Sequence, residues 1–182
     1  MPIYISMLRG INVAGHKLVK MAALQAAFEA LGFEQVRTYI QSGNVVFKAA
    51  KSSPVNLSRE IEGKILDEFG FEVPVITRTS EEMGGVIRVN PFLKEKGIDL
   101  SKLHVTFLSD VPALAAVKAF ESLAVKPDQF RASGREIYLY CPNGYGTTKL
   151  SNNAFEKVLS LSATTRNWNT VNKLYEMSLE PN

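Results

Sequence analysis

Apolar residues fall along this chain in short runs that alternate between two periods. Ile3 to Leu8 is nearly all apolar and six residues long, which predicts a buried strand. A polar, glycine-containing loop follows, and then Met21, Leu24, Phe28 and Leu31 recur at helical spacing until Gly32 stops them. Val36-Arg37-Thr38-Tyr39-Ile40 and Val45-Val46-Phe47 flank Ser42-Gly43-Asn44, the pattern of a hairpin turning at its glycine. Leu57, Ile61, Ile65 (or Leu66) and Phe69 give one face of a second helix. Val73-Pro74-Val75-Ile76 predicts a strand, with Pro74 at an edge or at the strand's start. Strand, helix, two hairpin strands, helix, strand is the ferredoxin-like split βαβ order.

The pattern then repeats. Residues 80–89 predict a short helix capped by Ser80, with Glu81 and Glu82 in its first turn and Asn90-Pro91 ending it. Leu103-His104-Val105-Thr106-Phe107-Leu108 alternates as a strand. Leu114, Val117 (or Lys118), Phe120 (or Glu121) and Leu123 sketch a rougher helix. A second hairpin turns at Ser133-Gly134, and Phe155, Val158 and Leu159 mark another helix. Matching the copies pairs Leu8 with Leu108, 100 positions on, and Gly43 with Gly134, 91 positions on. The first copy therefore carries nine surplus residues, which the pattern assigns to the loop at 10–20. The expected architecture is α+β, an internal duplication of two tandem ferredoxin-like halves, 1–79 and 80–182, packed into one compact unit, the second half ending in a C-terminal helix.

Composition narrows the class. Hydrophobic residues make up 46% and charged residues 21%, as in a globular chain. The net charge of +3 permits phosphate or nucleotide binding but falls short of the basic stripe of a dedicated nucleic-acid binder. Cys141 is the only cysteine, so no internal disulfide forms, and it reads as a partly buried, inert thiol. No run of about 18 apolar residues spans a membrane, and the first twenty residues lack a signal-peptide core. The expected location is cytoplasmic.

Leu8-Arg9-Gly10-Ile11-Asn12-Val13, Thr38-Tyr39-Ile40-Gln41-Ser42-Gly43-Asn44-Val45-Val46-Phe47 and Ala163-Thr164-Thr165-Arg166-Asn167-Trp168-Asn169-Thr170-Val171 are long polar segments. They resemble the three signature segments of a bacterial family catalogued as domain of unknown function 1697. Lys149-Leu150-Ser151-Asn152-Asn153 resembles a fourth. The resemblance extends over nearly the whole chain and implies a small α+β fold of ferredoxin-like character; it implies no reaction. Ala14 departs from the glycine expected in the family's loop, and alanine allows less backbone freedom there.

Chemistry is sparse. His16 and His104 lie on different elements without a partner at ligand spacing, so no metal is expected, and no motif calls for a cofactor. What remains is a polar set: Arg9, Asn12, Ser42 and Asn44, then Lys149, Asn152, Thr165, Arg166, Asn167 and Trp168. Arginine suits bidentate contact with phosphate or carboxylate, and asparagine suits the reading of an amide or base edge. Asn167 stands where it can cap a final helix carrying Trp168, Val171, Leu174 and Tyr175, with Arg166 beside the cap facing solvent as an anion clamp closed by Arg9 or Lys149. The loop at 10–17 is expected beside residues 164–167, forming a cleft. Three readings follow. The first is a binding module for a phosphate-bearing or other anionic ligand, an anionic small molecule such as a nucleotide or a nucleic acid such as RNA; the second is an enzyme on an anionic small molecule with Arg9 and Arg166 as clamps. The third is a non-catalytic subunit meeting a protein partner through Tyr39 and Trp168. No catalytic residue and no oligomeric state is assigned.

Overall fold

The short apolar runs become strands and the longer periodic stretches become helices. A computed structural model describes residues 1–122 and 124–180. In chain order the elements are β1 (Ile3–Leu8), α1 (Met21–Ala30), β2 (Glu34–Tyr39), β3 (Asn44–Lys48), α2 (Pro54–Phe69), β4 (Val75–Thr79) and α3 (Ser80–Arg88). They continue as β5 (Leu103–Leu108), α4 (Leu114–Glu121), β6 (Gln129–Ser133), β7 (Glu136–Tyr140), α5 (Asn152–Leu159), β8 (Ala163–Asn167) and α6 (Trp168–Leu179). Leu123, expected at the end of α4, lies outside the described residues. Two antiparallel sheets result, with strand orders β2-β3-β1-β4 and β6-β7-β5-β8. Each is the ferredoxin-like order, so the fold is α+β with the split βαβ motif present twice.

The chain groups into unit 1, Met1–Gly85 with Lys173–Asn182, and unit 2, Val86–Asn172. The junction of β4 and α3 falls at 79/80, and α3 as far as Gly85 groups with unit 1. In unit 1, Tyr4 and Leu8 of β1 and Phe47 of β3 meet Leu24 and Phe28 of α1 and Leu57, Ile61 and Ile65 of α2. Phe33 stacks on Phe47 at 4.7 Å and Phe28 meets the same ring edge-on at 5.3 Å, the offset geometries that aromatic quadrupoles favour. Helix α2 starts at Pro54 behind Ser53, whose Oγ accepts from the Asn56 N–H, and stops at Gly70 with φ 78°. In unit 2, Phe120 of α4 stacks on Phe155 of α5 at 4.2 Å over Leu108, Ile137 and Leu139.

Three expectations need correction. Ser80 does not cap α3. Strand β4 runs on to Thr79, whose Oγ1 accepts from the Glu82 N–H at 3.0 Å while the Glu82 carboxylate accepts from the Thr79 N–H at 2.8 Å. That reciprocal pair is a capping box, and Ser80, one residue inside, meets Ser178 Oγ at 2.7 Å instead. Second, Ala163 to Asn167 is a strand rather than a loop leading to a helix. Third, Leu8 does correspond to Leu108, but Gly43 corresponds to Arg135 and not to Gly134. The Leu8 N–H donates to the Gly43 carbonyl at 2.8 Å, and the Leu108 N–H donates to the Arg135 carbonyl at 2.9 Å. Four residues turn the first hairpin and two turn the second, which displaces the glycines. Gly43 is still obligatory, because φ is 81° and an added Cβ would sit 2.8 Å from Leu8 Cβ.

The duplication reaches single hydrogen bonds. Ser6 Oγ meets Thr77 Oγ1 at 2.7 Å in unit 1, and Thr106 Oγ1 meets Thr165 Oγ1 at 2.7 Å in unit 2. Strands β4 and β8 are the outer strands on that side of their sheets. The Arg9 N–H bonds to Pro74 O and the Ser109 N–H to Ser162 O, so the backbone groups of residues 75 and 77, and of 163 and 165, point away from the sheet. Side chains occupy several of them. The Val75 N–H donates to Glu62 Oε1 at 2.8 Å and the Ala163 N–H donates to Glu156 Oε1 at 3.1 Å. Arg78 Nη1 donates to Thr77 O at 3.1 Å, and Arg166 Nη1 donates to Thr165 O at 3.0 Å. Each outer strand is closed by one glutamate and one arginine of its own unit, the kind of protection an exposed strand edge needs.

Candidate functional site

The sequence-predicted residues divide by unit. Arg9, Asn12, Ser42 and Asn44 belong to unit 1, and Lys149, Asn152, Thr165, Arg166, Asn167 and Trp168 to unit 2.

In unit 1 the asparagines hold the backbone. Asn12 has φ 55°, and its Nδ2 donates to Val19 O at 2.9 Å and Gln41 O at 2.8 Å, while its Oδ1 accepts from the Val19 N–H at 2.8 Å. Asn44 is fully buried, and its Nδ2 donates to Tyr39 O at 3.0 Å and Ser42 Oγ at 2.9 Å across the hairpin turn. Arg9 is half-buried, and its backbone N–H donates to Pro74 O.

In unit 2 Arg166 does not face solvent. It is 7% exposed, its Nη1 donates to Thr164 Oγ1 at 2.7 Å as well as to Thr165 O, and it lies across from Val105 in the sheet. Buried carbonyl and hydroxyl groups demand donors, and an arginine fork meets two of them at once. Trp168 is 6% exposed and so is no surface aromatic. Asn167 does cap α6: its Oδ1 accepts from the Thr170 N–H at 2.8 Å.

A smaller polar group comes together at the end of this sheet. Thr165 Oγ1 donates to Asn152 Oδ1 at 2.7 Å, placing the first residue of α5 against β8. Two residues on, Asn167 opens α6. So two helices begin at neighbouring points of one strand, and Lys149 is exposed just ahead of α5.

Across the ladder from Asn167 stands His104, on the same face as Thr106. The imidazole stacks on Tyr145 at 4.8 Å, with 24° between the planes. Its Nδ1 is buried with no hydrogen-bond partner. Burial holds the His104 pKa below the ordinary histidine value, and the Lys102 carbonyl pulls the other way without completing a hydrogen bond to Nδ1. Sequence reasoning passed over His104 because its neighbours in space come from 145 and 167.

Unit 1 has the same position in another form. Tyr4 stands where His104 does, and its hydroxyl donates to Ser52 O at 2.9 Å and accepts from the Ser52 N–H at 3.1 Å. Pro54, which brings no N–H, starts α2 there.

Other reactive groups are quiet. Cys141 is fully buried, and burial, aided by the Asp128 charge and opposed by a hydrogen bond with Thr148, pushes its thiol up to about 11. Tyr138, whose hydroxyl donates to Val86 O at 2.9 Å, is raised far above the usual phenol range by burial and then by Glu136. Among the described residues no three His, Cys, Asp or Glu side chains converge as metal ligands, and no helix is long and apolar enough to cross a membrane.

A family model described as "Protein of unknown function (DUF1697)" matches residues 1–138. A solved structure of a conserved bacterial protein from Streptococcus pneumoniae is similar with a TM-score of 0.76 and 24% identity, over 97% of this chain and 98% of that one. At that identity the likeness is one of fold. No curated protein matches.

Proposed function

The chain belongs to that family of unknown function, and on the geometry of unit 2 we propose that it is a binding module for a phosphate-bearing or other anionic ligand, received beside His104 where α5 and α6 begin. The observation that carries this reading is the His104 imidazole, buried at Nδ1 without a partner, at a position that the other copy of the fold closes with Tyr4 and Ser52. Position for position the copies agree along β4 and β8, so a place satisfied in one and unsatisfied in the other is a place where they have diverged in use. The surroundings suit an anion. The opening N–H groups of a helix have no intrahelical acceptor and sit at the positive end of its dipole. The amide nitrogens of Asn152 and Asn167 add donors, because the oxygens of both are taken by Thr165 and Thr170. Lys149 supplies the exposed positive charge. Cys141, with its raised pKa, offers no activated nucleophile for the enzymatic alternative.

With only two histidines in the chain, proton NMR of the ring C2–H signals tests this directly. Without anion, His104 is expected to titrate below the ordinary histidine value, since burial disfavours the charged ring. A bound anion favours the charged form, so inorganic phosphate should raise the His104 midpoint. A His104 midpoint that ignores phosphate overturns the proposal.

A further inference from the structure

Unit 1 carries a surface device that unit 2 lacks. Twelve residues separate Leu8 from Met21, against five between Leu108 and Leu114. Five of the eight residues 10–17 hold left-handed backbone: Gly10 at 73°, Asn12 at 55°, Ala14 at 49°, Gly15 at 76° and Lys17 at 47°. Three of these are not glycine, and such conformations persist only where the surroundings over-determine them.

Asn12 supplies that constraint. Beyond its side-chain bonds to Val19 and Gln41, its N–H donates to Lys17 O at 3.1 Å, the His16 N–H donates to Val13 O at 2.9 Å, and Lys17 Nζ donates to Glu72 O at 2.6 Å. The loop is thus held in one shape. What that shape displays is apolar. Val13 is 60% exposed, Leu18 67% and Ile40 49%. Each is the chain neighbour of a residue in the Asn12 network (Asn12 itself, Val19 and Gln41), so the three ring one hub.

The charge around them is mainly basic, the exposed Glu72 beside Lys17 being the exception. No Asp or Glu occurs before Glu29, whereas Arg9, Lys17 and Lys20 do. Scattered exposed aliphatics are ordinary, but three around a rigid loop with a mainly basic sequence rim resemble the anchor and rim of an interface. We propose that residues 10–18 together with Ile40 form a docking surface for a protein partner that presents an acidic segment bearing aliphatic side chains. A second copy of this chain would bring basic against basic. An RNA would find His16 but no Phe, Tyr or Trp among these residues to stack on, and a membrane surface would find no Trp or Tyr anchor. Because the loop is already ordered, little freedom is lost on docking.

Fluorescence anisotropy of the full chain with a labelled twelve-residue peptide alternating Glu and Leu tests the proposal. An all-Glu peptide of the same length, a poly-uridine RNA and vesicles containing anionic lipid serve as comparisons. The Glu–Leu peptide is expected to bind at least about tenfold more tightly than the all-Glu peptide, as burial of a few aliphatic groups implies. The double variant Val13→Ser, Leu18→Ser should lose that advantage with an unchanged melting temperature, both positions being exposed. Equal binding of the two peptides, an unaffected double variant, or stronger binding of RNA or vesicles overturns the proposal.

Discussion

Arg166 shows how far a residue's role depends on where its backbone runs. In a loop ahead of a helix it would be a solvent-facing clamp; in β8 it is a buried donor to Thr164 Oγ1 and Thr165 O. Arg78 holds the matching place in β4, at 2% exposure and with a bond to Thr77 O. Removing either fork strands polar groups that water cannot reach. Arg166→Ala should therefore destabilise the protein by about 2–4 kcal/mol, the scale of losing hydrogen bonds from a buried charged donor. Urea unfolding followed by Trp168 fluorescence measures it, and a loss within about 0.5 kcal/mol of the parent would contradict the buried role. Arg166→Lys should recover little, because the lysine side chain ends one bond short of Nη1, the nitrogen that makes both bonds.

At the scale of elements, the loop at 10–17 carries its own prediction. Ala14 stands at φ 49°, where a Cβ crowds the backbone at a cost of about 1–2 kcal/mol and glycine pays only in unfolded-state entropy. Ala14→Gly should raise stability by up to about 1 kcal/mol, read as a higher melting temperature, and a lower one would refute it. The strain was legible beforehand only as a mismatch, alanine where glycine was expected.

Other elements were legible for a plain reason. Strands β1, β3, β5 and β7 are interior to their sheets and read as apolar runs, and every helix with an apolar stripe was found. Strand β8 was not found, and β4 was read two residues early and three short, because Thr77-Arg78-Thr79 and Thr164-Thr165-Arg166-Asn167 are polar. Alternation of apolar and polar residues fails as a signal where the buried side chains are themselves polar. The repeat was the usable signal: Thr77-Arg78-Thr79 and Thr165-Arg166-Asn167 each stand directly before a helix. The candidate site was legible in its asparagines but not in His104, whose relation to Tyr145 and Asn167 is made only by the fold.

For the whole molecule, the shared element is α6. It begins in unit 2 at Trp168, and its residues from Lys173 group with unit 1, where Arg37 donates to Met177 O and pairs with Glu180 at 2.7 Å. A helix broken at mid-length leaves each part too short to persist in water. Melting of unit 1 should therefore reach Trp168, so fluorescence and far-UV circular dichroism should give coincident unfolding curves. Two separated midpoints would show that the units melt independently.

The paired glutamate and arginine closures bear on how a doubled fold guards its sheet borders. Copying a sheet within one chain also copies its raw border, and the two copies of that border are near-equivalent partners for any strand that strays. Such chains are open to domain swapping, in which a strand from one molecule completes the sheet of the next and the exchange runs on without closing. In this protein the stray strand meets backbone groups already bonded, Val75 to Glu62 and Ala163 to Glu156, Thr77 to Arg78 and Thr165 to Arg166. Charged hydrogen bonds would have to break before a foreign strand could form its first neutral one. The outer strands are thereby addressed to their own helices, which sets a barrier to polymerisation in a duplicated sheet.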